Sequence, residues 1–192
     1  MTSLVLASAS PRRREILETL GLAFEVDPSR AEEAPRDGEA PRELALRLAA
    51  DKAREVSARR PSDAVLGADT VVVLDGAALG KPADEAEARA MIGRLSGRWH
   101  EVITGVALAR DGIAVETLAV TTRVRFAALS QERIARYAAT GEGLDKAGAY
   151  GVQGIGAGLV ERIEGSYANV VGLPAHETVL LLERHGALGA WP

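Results

Sequence analysis

The stretch from Ala64 to Leu74 constrains this chain more than any other: an apolar, valine-rich run that carries one acid, Asp69, inside Gly67-Ala68-Asp69-Thr70. A short apolar run bounded by turn residues reads as a buried strand, of the kind found in sheets flanked by helices. A carboxylate inside it costs desolvation free energy unless it holds a metal, accepts a proton, or is satisfied by backbone N–H groups in a bulge. The expectation is a strand interrupted at those four residues, with Gly67 and Ala68 leaving open space in front of Asp69.

Strand and helix patterns alternate on either side. Leu4 to Ala7 is a short apolar strand, and Ser10-Pro11 supplies an N-cap followed by proline at the first helical position. That helix carries Ile16, Leu17 and Leu20 and stops at Gly21. Phe24 to Val26 is a strand, Pro28 to Pro41 a long acidic surface loop, and Pro41 to about Ser57 an amphipathic helix. Asp75-Gly76 and Asp111-Gly112 are hairpin signals. Between them lie a helix from about Asp84 to Leu95 and a strand from about His100 to Ala109. Ile113 to Phe126 is a long strand, and Ser130 caps a helix that ends near Gly141. Gly143 to Gly158 is loop-like, Leu159 to Ile163 a strand, and Thr178 to Arg184 a closing helix. With no repeat and no linker, residues 1–192 read as one α/β domain with a mixed, twisted sheet flanked by helices.

Composition narrows the chemistry. There is no cysteine, which removes disulfides, thiol catalysis and thiolate metal sites. Net charge is −4 and aromatics make up 4%, so no general nucleic-acid surface and no stacking platform is expected. No long uncharged apolar run predicts a membrane span. Leu4-Val5-Leu6-Ala7 precedes Arg12-Arg13-Arg14, the reverse of export-signal order, so a cytoplasmic globule is expected. Of 23 basic residues only three are lysine, Lys52, Lys81 and Lys146. Where arginine serves nearly everywhere, these positions are candidates for a compact ammonium.

Five segments could carry chemistry. In Ser8-Ala9-Ser10-Pro11-Arg12-Arg13-Arg14, three guanidinium groups occupy the first turn of a helix, where the dipole prefers anions. A phosphate chain would reconcile that conflict; a solvated basic turn is the plainer alternative. Asp69 is the second. Gly80-Lys81-Pro82 is the third, a stiffened turn that aims its lysine. The fourth is Asp145-Lys146-Ala147-Gly148-Ala149-Tyr150-Gly151-Val152-Gln153-Gly154, whose glycines would let backbone approach a ligand, though a plain surface loop has the same composition. The fifth, Gly165 to Pro174, reads as a structural turn into the last helix. His100, His176 and His185 have no metal-like spacing and read as surface residues. The donors present are hard, so a bound metal would be Mg²⁺ or Mn²⁺, with Glu32 and Glu33 as further candidates.

Taken in order, these segments resemble the Maf family of nucleoside triphosphate pyrophosphatases, also described as septum-formation inhibitors. The resemblance implies a two-lobed, inosine-triphosphatase-like fold around a cleft. It implies cleavage of a nucleoside triphosphate between the α and β phosphates, with a divalent cation. Asp69 matches the family's proton acceptor and is the metal candidate together with Glu32. Arg12, Thr70 and Gln153 match positions tied to substrate choice. Ser10, Arg13, Lys52, Lys81 and Lys146 match polar positions of the site. Arg12 and Gln153 place the chain with the dTTP/UTP branch; the 7-methyl-GTP branch carries an aromatic and an acid there. A nucleotide-binding regulator of septum formation without turnover is the rival, disfavoured by the intact Asp69 and lysine set. A homodimer is an open alternative to a monomer.

Overall fold

The computed structural model describes residues 3–188 and 191. Along them run β1 (Leu4–Leu6), α1 (Pro11–Thr19), β2 (Glu25–Val26), α2 (Pro41–Arg59), β3 (Ala64–Leu74) and β4 (Ala77–Leu79). Then come α3 (Glu85–Leu95), β5 (Trp99–Arg110), β6 (Ile113–Phe126), α4 (Gln131–Ala138), β7 (Val160–Glu164), α5 (Tyr167–Val171) and α6 (Ala175–Arg184). The strands form a seven-stranded sheet in the order β2-β1-β3-β5-β6-β7, with β4 paired to β3. β1 is parallel to β2 and to β3, which requires the crossovers that α1 and α2 supply. β4 on β3 and β7 on β6 are antiparallel, so the sheet is mixed, as the sequence predicted. Both Asp-Gly pairs take the left-handed conformation that two-residue hairpins need, with φ of 54° and 77° at Asp75-Gly76 and 51° and 76° at Asp111-Gly112.

The chain divides into two compact units. The first comprises Met1–Thr70, Thr104–Val120 and Gly172–Pro192; the second comprises Val71–Ile103 and Thr121–Val171. In the first unit, alternation along the strands assigns one face to each set of helices. Leu66 and Ala68 of β3, with Val106 and Leu108 of β5, pack with Leu17 of α1 and Leu181 and Leu182 of α6. The opposite face receives α2, through Ala49 and Ala53 against Ala107 and Ala109 and through Val56 against Val65. Successive strand residues point to opposite faces, so two layers of helix cover this part of the sheet. In the second unit Phe126, fully buried, is the centre of an edge-to-face aromatic group with His100 and Tyr150, their ring centroids 4.8–5.4 Å apart.

Four expectations change. β3 is continuous from Ala64 to Leu74, not interrupted. The space in front of Gly67 is filled: a Cβ there would lie 2.3 Å from the Ala49 carbonyl oxygen and 2.8 Å from the Ala53 nitrogen. Glycine at this position lets α2 lie directly on the strand. His100 is 3% exposed and not a surface residue, because even-numbered β5 positions in this half turn inward against Phe126. Finally, the Gly165–Pro174 turn contains α5, and α6 begins at Ala175 instead of Thr178.

Candidate active site

Two parallel neighbours of unequal length create the setting in the first unit. β1 ends at Leu6, in register with Leu66 of β3, while β3 continues past it through Asp69 and Thr70. Open α/β sheets present their functional groups at such carboxyl ends. Asp69 and Gly67 share a strand face, so the close approach that Gly67 permits also brings α2 to Asp69. Lys52 on α2, 7% exposed, donates to Asp69 Oδ1 at 2.8 Å. The same ammonium lies 2.6 Å from Glu33 Oε1, on the loop before α2. One buried cation therefore serves two carboxylates. Neither charge could be buried alone at acceptable cost, so the pair is viable only as a pair.

Arg13 is held just as firmly, by different groups. Its Nε donates to the Gly172 carbonyl at 2.8 Å, one terminal nitrogen to Ser8 Oγ at 3.0 Å and the other to Thr70 Oγ1 at 3.2 Å. Thr70 also meets Thr104, hydroxyl to hydroxyl, at 2.9 Å. Burial depresses the Arg13 pKa while the nearby Asp69 charge opposes the shift. Three of its five N–H groups are thus engaged by protein, which makes it a tie between β1, β3 and the chain entering α6 as well as a cation near Asp69. Gly172, at φ 131°, supplies the carbonyl in a conformation that other residues avoid.

At the start of α1, Ser10 is the N-cap residue, yet its side chain makes no capping bond; its amide donates to Ser8 Oγ at 3.2 Å. The first turn holds no acid, and Arg14 reaches away to Glu18. Arg12 is half-buried and makes no hydrogen bond or ion pair among the described residues. Ser10 and Arg12 thus remain available to an anion. Glu32 is exposed and takes no part in the Lys52 cluster; Glu33, its neighbour, does.

The remaining candidates belong to the second unit. The Gly80 carbonyl accepts from the Gly148 amide at 3.0 Å, joining the Gly80-Lys81-Pro82 turn to the glycine-rich loop. Lys81 is exposed and makes no ion pair among the described residues. Lys146 Nζ donates to the Glu142 carbonyl and to Asp145 Oδ1, both at 2.5 Å, so it braces its own loop. Gln153 is half-buried and is the N-cap of the 3₁₀ turn Gly154–Leu159, without a side-chain capping bond of its own. The loop's glycines admit protein rather than ligand: a Cβ at Gly156 would lie 2.2 Å from the Gly151 carbonyl oxygen, and one at Gly148 would lie 2.9 Å from a Val72 methyl.

A profile of the Maf-like proteins matches residues 3–185. The chain belongs to the Maf family. Among its relatives, a dTTP/UTP pyrophosphatase of Symbiobacterium thermophilum is 54% identical over 186 residues, covering 97% of this chain and 95% of that protein. A dTTP/UTP pyrophosphatase of Myxococcus xanthus is 55% identical over 190 residues, covering 99% and 96%. Among solved structures, the dITP/XTP pyrophosphatase of Mycobacterium abscessus covers 97% of this Maf chain and 95% of its own, at 17% identity and a TM-score of 0.44. That is the kind of neighbour the sequence implied, at a likeness too distant to carry an argument.

For a metal, the donors fit a hard cation. Asp69 and Glu33 converge on one ammonium, and no group of three or more potential ligands occurs among the described residues. Mg²⁺ is commonly held by one or two carboxylates, with water and substrate phosphates completing its shell. Thr104 and Glu142 are the residues of these clusters that the sequence did not reveal, whereas Glu33 is a sequence candidate alongside Glu32. Glu33 is indistinguishable from Glu32 by pattern, whereas Glu142, an acid set between two glycines at a helix end, carries a signal of backbone capping.

Proposed function

We propose that this protein is a nucleoside triphosphate pyrophosphatase that hydrolyses dTTP and UTP to the monophosphate and pyrophosphate. The observation that carries the reading is the Asp69 carboxylate, 2.8 Å from a buried lysine, at the open end of a parallel strand pair in a Maf chain. Hydrolysis breaks the anhydride bond between the α and β phosphates. Water supplies the oxygen, and Asp69 is placed to take its proton. Lys52, 2.8 Å from Asp69 Oδ1, orients that carboxylate. Arg12, with its donors uncommitted, and Lys81 neutralise charge on the departing pyrophosphate. Arg13 holds Ser8 and Thr70 in place and adds positive potential. A Mg²⁺ or Mn²⁺ ion, held by Asp69 and Glu33 instead of the expected Glu32, would supply Lewis-acid polarisation of the phosphates.

Gln153 carries base choice in this reading. Its amide offers a donor and an acceptor side by side, which matches the imide edge of uracil and thymine. A nucleotide pyrophosphatase works where nucleotide pools are, so we place the protein in the cytoplasm, acting on free nucleotides and not on nucleic acid. Among the described residues, no helix is long and apolar enough to cross a membrane.

The test is pyrophosphate release across a panel of UTP, dTTP, dATP, dGTP and 7-methyl-GTP. UTP and dTTP are expected to lead by roughly ten- to a hundredfold in kcat/KM, the value of an unpaired buried amide. EDTA should stop turnover and Mg²⁺ restore it. Faster cleavage of 7-methyl-GTP than of UTP overturns the branch; full turnover by metal-stripped protein overturns the cation.

A further inference from the structure

The 3₁₀ turn that follows Gln153 is capped from a distance. Glu142 lies between the end of α4 and the glycine-rich loop, and its carboxylate accepts three bonds. Oε2 takes the Ile155 amide at 2.8 Å, and Oε1 takes the Gly156 amide at 2.8 Å and the Tyr137 hydroxyl at 3.1 Å. These amides are the second and third of the turn that Gln153 begins, the groups an N-cap side chain ordinarily satisfies. Gly154, at φ 79°, presses against the same carboxylate: a Cβ there would sit 2.7 Å from Oε2. The Tyr137 hydroxyl in turn accepts from the Gly151 amide at 3.4 Å, two residues before Gln153. Burial and the neighbouring Glu142 raise the Tyr137 pKa, so its hydroxyl stays protonated and donating. The Glu142 backbone carbonyl receives Lys146.

We propose that Glu142 is the positioning residue for base selection: by capping the turn in place of Gln153, it fixes the backbone on both sides of Gln153 and leaves the Gln153 amide uncommitted. The inference rests on the reading that Gln153 reads the base. Its physical basis is competition. An N-cap glutamine whose turn amides lack another acceptor can fold back upon them, and then its donor and acceptor are lost to a ligand. A glutamine at position 142 could keep only one oxygen as acceptor and would turn an N–H₂ group toward the other amide.

The experiment compares Glu142→Gln, Tyr137→Phe and Gln153→Glu with the wild type, using kcat and KM for UTP and dGTP. In Glu142→Gln the UTP/dGTP ratio of kcat/KM should fall about tenfold, chiefly through a higher KM for UTP. Tyr137→Phe should lower it less, in the same direction. A purely structural Glu142 would lower both nucleotides together. Amide hydrogen exchange of the wild type is the folding-independent arm: the Ile155 and Gly156 amides should be protected although Ile155 is 59% exposed. Unprotected amides, or a ratio unchanged within twofold in both Glu142→Gln and Tyr137→Phe, overturn the proposal. If Gln153→Glu also leaves the ratio unchanged, it is the base-choice reading that has failed, and the proposal falls with it.

Discussion

The two units hold their candidate functional groups by different physics. In the first, side chains from distant parts of the sequence meet: Lys52 with Asp69, and Arg13 with Thr70 and with Gly172, 159 residues away. These contacts exist only once β1, β3, α1 and α2 have packed, and charge pairing within a buried layer keeps them. In the second, one loop is fastened by bonds spanning five to 14 residues, mostly from backbone amides to one carboxylate. A site assembled from remote charges is suited to a task common to every substrate, such as activating water. A loop held by its own backbone can alter its side-chain presentation without disturbing that task. The comparison predicts that changes in the first unit affect all nucleotides alike, and that changes in the second reorder them.

The largest effect belongs to Asp69→Asn. It removes the proposed proton acceptor but keeps the side chain's size and leaves Lys52 paired with Glu33. kcat should fall about 10²- to 10⁴-fold, the usual range for a positioned general base. Nucleotide binding, measured by calorimetry, should persist. UTP and dGTP should lose the same factor; a loss confined to one of them would break the division of labour between the units.

Acid should separate the units next. Burial pushes the His100 imidazole down from 6.5 to about 4, so the folded second unit keeps it neutral. Between those values the unfolded chain binds the extra proton, and stability rises with pH. The contribution is present above about 6.5 and is lost as pH falls toward 4, on the order of 3 kcal/mol. The first unit instead holds lowered carboxylates: Asp27 beside Arg59, Asp63 bonded to Ser3 and Arg60, and Glu116 beside His185 and Arg184. Their contribution is present above the ordinary carboxylate range and is lost only below it. Trp99 lies in the second unit and Trp191 bonds Leu20 in the first, so Trp191→Phe leaves a reporter for the second unit alone. Its fluorescence should show unfolding free energy declining from pH 6.5 to 4, and His100→Gln should flatten that slope. An unchanged slope in His100→Gln would assign the sensitivity elsewhere.

Sequence periodicity was sufficient for most of the fold because the strands and helices here are consistent at every level. Pro11 and Pro41 open helices, Asp84 and Ser130 cap α3 and α4 with their side chains, and both Asp-Gly pairs make hairpins. Asp69 and Arg13 stood out because charge within apolar or misplaced surroundings is costly and so demands a partner, and Lys52 because lysine is rare in this chain. The partner's identity was not legible. Glu32 and Glu33 differ only in which way the loop turns, and Gly67 read as open space because nothing local says that a helix lies upon it. His100 was misjudged for a related reason: neutral when buried, it sends no charge signal. The backbone-held loop was the least legible part, because an amide donor belongs to every residue and leaves no mark in composition.

The smallest effects should come from two glycines, one in each unit, and they test the comparison most sharply. Gly67→Ala would set a methyl 2.3 Å from the Ala49 carbonyl, so α2 must shift and carry Lys52 with it. Gly156→Ala would set one 2.2 Å from the Gly151 carbonyl and 2.9 Å from the Tyr137 hydroxyl, so the loop around Gln153 must loosen. Each overpacking should cost about 1–3 kcal/mol of stability, readable in a denaturant melt. The enzymatic consequences should diverge. In Gly67→Ala the Lys52–Asp69 contact lengthens, and kcat should fall several-fold for every nucleotide with the UTP/dGTP ratio preserved. In Gly156→Ala kcat should change little while the ratio falls, because the chemistry at Asp69 is undisturbed and only the presentation of Gln153 has moved. If the two variants shift kcat and the ratio in the same proportion, base choice and chemistry do not reside in separate units.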